Sequence, residues 1–333
     1  MNALATDART WAVLGVLVVV GITAAEVAQY WLGQGWVFWA WLSLVPIGLL
    51  IMAAGLNRMR QGLGTRAVAA GIAFAIFLTI AVPFLLVVVF GSFLNQRDLI
   101  SNTPYIFPPN PTTEWYERLW DRPRFTEAVR TSFYIATSTT LFVTLFGILG
   151  AYAIARLRFP ARTAVYNAIM LSYMLPGIAL LVPLVFVFRR LDLVDTLPGM
   201  LLGHSALLLP LVIWLLMGAF EGVEPDLEHA ARVDGANRWR TVWTIVVPVT
   251  IPSVATVAVF GFVLSWNELL FSRVLATSQI QLLSPEILKL MDPIVRVEPT
   301  VSAAGVISSI PVIILALLMQ RFIIREIGEG AVK

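Results

Sequence analysis

The stretch "EHAARVDGANRWRTVWTIVVPVTIP", Glu228 to Pro252, is a polar interruption in an otherwise apolar C-terminal half, and it reads as helix, glycine break, helix. Just upstream, Glu224-Pro225-Asp226 supplies a helix start. Proline is tolerated in the first turn, and the acids Asp226 and Glu228 favour the positive end of the helix dipole. Leu227, Ala230, Ala231 and Asp234 fall at i, i+3, i+4 and i+7, so they share one helical face. Small side chains on that face let another backbone approach closely. Gly235 adopts positive φ without penalty and so can end the first piece. A second piece, Arg238 to Val247, runs on until Pro248 and Pro252 bend or restart it. One account of these residues is an amphipathic loop lying on a lipid surface. Such a loop would want Leu or Phe where Ala230 and Ala231 stand, so a helix that docks into a protein cleft fits better.

The surrounding sequence sets the solvent. Of 333 residues, 59% are hydrophobic and 13% charged, whereas a soluble domain carries about a quarter charged residues. Uncharged runs recur at Ala67–Gln96, Thr131–Ala155, Ala164–Phe188, Thr196–Phe220, Thr241–Asn267 and Pro299–Gln320, each near the ~20 residues that a bilayer span needs. Between Arg9 and Arg58 the only charge is Glu26, with Gly33-Gln34-Gly35 midway, which suits two further helices and a tight turn. A cleavable signal peptide is the rival reading of that region. It lacks a strong basic start and a small-x-small cleavage site. The expected fold is all-α: a polytopic helical membrane protein with six core helices, residues 67–333, behind a two-helix extension, residues 1–66.

Positive charge in short loops marks the cytoplasmic side. Arg9, Arg58, Arg60, Arg66, Arg156, Arg158, Arg162, Arg232, Arg238, Arg240, Arg321, Arg325 and Lys333 fall on one side of such a topology. Both termini and the 221–248 loop are therefore expected in the cytoplasm. The opposite side carries "SNTPYIFPPNPTTEWYERLWDRPRF", rich in proline, asparagine and aromatics as an ordered external loop is. It also carries Ser272 to Thr300, with a short helix expected around Pro285 to Met291. These segments either touch an external partner or only connect helices. The arginines form no basic patch, so nucleic-acid binding has no support.

Catalytic constellations are missing from the sequence. There is no G-x-x-x-x-G-K-[S/T] phosphate loop and no G-x-S-x-G elbow. Cysteine is absent and His204 and His229 are the two histidines, which makes a compact zinc site implausible. Polar residues within spans remain: Asn167, Tyr173, His204, Trp266, Asn267 and Glu268. Burial in hydrocarbon is costly unless they face protein or water, so they are candidates for a translocation path. Each also has a structural reading. His204 can hydrogen-bond a neighbouring helix, and Glu268 can sit at headgroup level. Trp266-Asn267 pairs an aromatic face with an amide, which suits a sugar ring. Met174-Leu175-Pro176 and Pro183 read as a helix kink, and Gly147 and Gly150 as sites of close helix contact.

The opening stretch resembles the cytoplasmic coupling loop of ABC-importer permease subunits: Glu-Ala-Ala, three residues, Gly, nine residues, Ile-x-Leu-Pro. Ala230-Ala231, Gly235 and Ile245-Val246-Val247-Pro248 reproduce that spacing. His229 stands at the motif glutamate, with Glu228 just before it, and Val247 at the leucine. "FGILGAYAIARLRFPAR", "YMLPGIALLVPLVFV", "SWNELLF" and the terminal "GAVK" follow the carbohydrate-uptake branch in order, in particular the MalG-type maltose/trehalose permeases. The resemblance implies a subunit that moves a di- or oligosaccharide and is not itself an enzyme. It implies ATPase contact through Glu228, His229, Ala230, Ala231, Asp234, Gly235, Ile245 and Pro248. It also implies a second permease subunit, two cytoplasmic ATP-binding subunits holding ATP and magnesium, and an extracytoplasmic sugar-binding protein. No cofactor is expected on this chain. Another solute, such as a polyol, glycerol phosphate or osmolyte, and an ion-driven secondary transporter are the alternatives.

Overall fold

The structure is a computed structural model that describes residues 88–100, 108–291 and 299–330. The expected helix pair in residues 1–66 and most of the Ala67–Gln96 run lie outside the described residues. The chain divides into two units, residues 1–115 and 116–333. In the first, a tight turn at Gly91–Phe93 leads to α1, Gln96–Ile100. Asn95 caps α1, its Oδ1 accepting from the backbone of Arg97 and Asp98, both at 2.9 Å. The following loop folds back on this start: the Trp115 indole donates to Leu94 O at 2.6 Å and Thr112 N to Phe93 O at 3.0 Å. Helix α2, Glu114–Trp120, carries the chain onward.

Every element described in the second unit is a helix. Helix α3, Pro123–Arg156, begins at a proline after extended Arg122. Helices α4, Arg162–Met174, and α5, Gly177–Arg190, form one apolar run broken by 102°. Leu175 takes an extended backbone there because it precedes Pro176. The kink expected at Met174-Leu175-Pro176 is thus a full bend, and Ala164–Phe188 is no straight span. Helix α6, Leu197–Glu221, starts at Thr196, whose hydroxyl accepts from Gly199 N at 3.1 Å. A Cβ at position 199 would collide with Leu193 O, so only glycine closes that turn.

Helix α7, Pro225–Val233, is followed by α8, Arg238–Val249, whose middle turn widens to π geometry at Val242–Val246. At Thr250 the chain turns by 85° into α9, Ile251–Trp266. Thr241–Asn267 is therefore not one continuous helix. The prolines at 248 and 252 flank the break, as their missing donors require. Short helices α10, Leu270–Leu275, and α11, Leu283–Lys289, precede α12, Pro299–Gly330, and α11 meets the expectation of a short helix there. Among the described residues, helices α3, α6 and α12 are long and apolar enough to cross a membrane, and there are up to five spans if each bent pair counts as one.

The core forms where α3 lies along α6. Val143, Ile148 and Ala151 of α3 meet Leu208, Val212, Leu216 and Phe220 of α6, with Val242, Val246 and Val257 closing the cluster from α8 and α9. Gly147 and Gly150 make the close approach possible. A Cβ at Gly147 would meet Val212 Cγ1, and one at Gly150 would lie 3.0 Å from Ile213 Cδ1. In lipid, close packing of this kind replaces the hydrophobic drive that holds soluble helices together. The sequence expectation of helix contact at both glycines holds.

Candidate functional site

The α7–α8 elbow is built almost wholly from local rules. Glu224 is extended, Pro225 opens the helix, and Asp226 and Glu228 occupy its first turn. Gly235 takes φ +83° at the far end. Gly235 N then donates to Arg232 O at 3.1 Å and Ala236 N to Ala231 O at 2.9 Å. This pair of bonds is the Schellman closure that satisfies the last carbonyls of a helix. Asn237 starts α8, its side chain accepting from Arg240 N at 2.8 Å.

The two sides of α7 differ sharply. Leu227, Ala230 and Asp234 are exposed, Ala231 is half-buried, and nothing lies within 4 Å of the Gly235 Cβ position. His229 is also exposed, 3.9 Å from Asp226. Glu228 points the other way and is buried. Tyr152 Oη donates to its Oε2 at 3.0 Å, and Arg156 Nε lies 3.0 Å from Oε1 as an ion pair. Of the two acid or imidazole groups at the motif's carboxylate, only His229 faces outward. Further along, Ile245 is half-buried and Pro248 exposed, while Val242 and Val246 sink into the core. The elbow presents a small-residue ridge outside and is bolted to the helices behind it.

The path candidates separate in the same way. Trp266, proposed from sequence as a sugar platform, is instead a core residue: 2% exposed, stacked on Phe262 at 5.9 Å, and donating from Nε1 to Ser308 O at 2.9 Å. Glu268 is engaged locally. Its carboxylate accepts from Phe271 N at 3.0 Å and Ser272 N at 2.8 Å, which caps α10. His204 is buried, with Nδ1 2.8 Å from Ser265 Oγ and Nε2 3.2 Å from Ser272 Oγ and 3.7 Å from Glu268 Oε2. It joins α6 to α9 and α10, the interhelical reading of that residue. Asn167, Tyr173 and Asn267 are exposed, the last with its amide on Val263 O at 2.8 Å. The structure thus gathers His204, Glu268, Ser265 and Ser272 into one cluster and leaves Asn167 and Tyr173 apart on α4.

Asp195 was not singled out from sequence. It sits between α5 and α6 at φ +60°, and its carboxylate gathers the 277–280 loop. Oδ1 accepts from Thr277 N at 3.1 Å and Ile280 N at 3.0 Å. Oδ2 accepts from Ser278 N at 2.9 Å, Gln279 N at 2.8 Å, and the Thr277 and Ser278 hydroxyls at 3.1 and 2.8 Å. Desolvation, the largest single influence, raises its pKa. The hydrogen bonds from Gln279, Ile280 and Ser278 outweigh it and hold the carboxyl well below the usual carboxylate range. An aspartate between Val194 and Thr196 carries no motif; its partners are more than 80 residues away, which hid it.

Residues 143–329 match the family described as the inner membrane component of binding-protein-dependent transport systems. This chain belongs to that family. The permease is 32% identical over 231 residues to a trehalose transport system permease protein, SugB, of Mycobacterium tuberculosis, covering 68% of this chain and 84% of the relative. It is 32% identical over 226 residues to the trehalose/maltose permease MalG of Thermococcus litoralis, covering 67% and 81%. Its fold matches a chain of a bacterial ABC transporter involved in alginate import, with TM-score 0.64, 23% identity, and coverage of 78% and 98%. The MalG-type resemblance read from sequence holds. An ion-driven secondary transporter is not favoured, because the family belongs to binding-protein-dependent transport systems. The permease thus carries an exposed ridge on α7 and a loop held by Asp195.

Proposed function

We propose that this chain is the membrane-spanning permease subunit of an ATP-driven carbohydrate importer in the cell membrane. It works beside a second, related permease subunit and above two copies of a cytoplasmic ATP-binding subunit, which hold ATP and magnesium. An extracytoplasmic sugar-binding protein delivers the cargo, a di- or oligosaccharide. The names of the relatives support the cargo class: trehalose, trehalose/maltose and diacetylchitobiose systems recur among them. A related solved transporter was captured with a pentasaccharide-bound periplasmic protein, which supports the delivery partner.

The observation that carries this reading is the exposed, small-faced elbow of Leu227, Ala230 and Gly235. It presents close-packing surface to a partner and no catalytic group. Ala230, Ala231, His229, Asp234, Gly235 and Pro248 form the ATPase contact, with Ile245 as support. ATP-driven closure below would push the elbow and rock the helices above it, a rigid-body change of the hinge or shear type. Basic residues around the elbow favour its cytoplasmic placement, with both termini on the same side. On the path, Asn167, Tyr173 and Asn267 retain the exposure that contact with a sugar needs.

Purification in mild detergent is the test. A second permease, an ATP-binding subunit and a sugar-loaded binding protein should accompany the wild-type chain, and the bound sugar names the cargo. Ala230→Arg should release the ATP-binding subunit and leave the second permease attached. Full retention of the ATP-binding subunit by that variant would contradict the reading.

A further inference from the structure

Arg156 is the last residue of α3, and its guanidinium reaches three elements at once. Nη2 donates to Phe220 O at 2.6 Å and also to Val223 O, the carbonyls where α6 ends. Nε lies 3.0 Å from Glu228 Oε1 in the first turn of α7. One turn back along α3, Tyr152 donates to the other oxygen of the same carboxylate at 3.0 Å. Around them Phe220 and Val223 are buried, so the group is largely screened from water. Two residues further along α7, Ala230 is exposed.

A buried ion pair contributes little net stability over an apolar contact of the same volume, because desolvation offsets the attraction. It does supply direction. A guanidinium that donates to two carbonyls and is paired with a carboxylate restricts the relative placement of three helix ends, where a greasy contact would let them slide. We propose that Tyr152, Arg156 and Glu228 form a positioning strut that makes α7 move as one body with the cytoplasmic ends of α3 and α6. Glu228 then serves the elbow from behind, as a positioning residue, and not as part of the surface it presents. The proposal rests on the coupling reading above: a lever needs a stiff root only if something pushes its tip.

The sequence has no cysteine, so spin labels can be placed at will. Labels at Val233→Cys on α7 and Trp214→Cys on α6, both exposed positions, report their separation in the assembled transporter in nanodiscs. With the strut intact, the distance distribution is narrow and unchanged on adding ATP and vanadate. Glu228→Gln should leave it narrow at rest, and shift and broaden it under ATP and vanadate. Equal distributions in variant and wild type under load overturn the strut. Equal broadening with and without nucleotide also overturns it, because that is the signature of a packing residue alone. Should Glu228→Gln fail to assemble, Tyr152→Phe decides: a smaller displacement under load supports the strut, and none overturns it. Coupling to the ATP-binding subunit has its own test. Retention of the ATP-binding subunit by Ala230→Arg sinks that reading, whatever the labels report.

Discussion

Gly235 carries the heaviest local demand in the elbow. At φ +83° an L side chain is strained, by about 1–3 kcal/mol for ordinary residues. A β-branched side chain fits worst there. Gly235→Val should therefore unwind the Schellman closure and uncouple ATP hydrolysis from uptake, although nothing crowds the site. Normal uptake by a properly inserted Gly235→Val chain, measured in proteoliposomes, would count against the elbow's role. His229 makes a gentler test. It is exposed and beside a more exposed Asp226, so its electrostatic worth is small. His229→Glu restores the family's carboxylate, and uptake should be retained. A dead variant would mean the imidazole itself is required. The place of Gly235 at the end of α7 was legible in sequence, because a helix-ending glycine follows from local spacing. Glu228 was not: it lies one residue from His229 yet faces inward, and its partners Tyr152 and Arg156 are more than 70 positions away.

Elements of this fold depend on close approach and on clamped loops. At the α3–α6 crossing, Gly147→Leu would drive a side chain into Val212. Overpacking costs about 1–3 kcal/mol in a well-packed core. The detergent-solubilised protein should unfold several degrees lower, while Gly218→Ala, with open space around it, should not lower the midpoint. The 277–280 loop is held by Asp195, whose folded-state pKa lies below its ordinary value of 3.8. Its contribution is therefore fully present above about pH 4 and lost as pH falls through the lower folded value. Hydrogen exchange at residues 277–280 should be slow and insensitive to this group from about pH 5 to 8. Asp195→Asn, which turns an amide donor toward the donors of Ser278 and Gln279, should speed that exchange throughout the range. Slow exchange in the variant would show that the loop holds without the clamp. Helix existence was readable from the apolar runs, and the prolines marked where those runs break. The size of the bends at Leu175 and Thr250 was not, because an apolar run carries no record of direction. For the same reason, the largely apolar helix α9 gave no sign that Trp266 faces inward.

Across the whole molecule, we propose a transmission: an exposed ridge on α7 receives force, a polar root carries it to α3 and α6, and the helices above change their packing. Composition and charge placed the chain in a membrane, and ordered motifs placed it in its family, because both are properties of sequence alone. Which surface meets which partner is set by side chains brought together over long separations. The central claim is the contact between the ridge and an ATP-binding subunit, and site-directed cross-linking reads it directly. With no native cysteine, Ala230→Cys creates a single thiol on the ridge. In inverted membrane vesicles containing the assembled transporter, a short bifunctional thiol–amine reagent should join that position to the ATP-binding subunit, and less so once ATP hydrolysis is blocked in a different state. A thiol at position 230 that never cross-links to that subunit, while reacting freely with lipid-soluble reagents, would contradict the account.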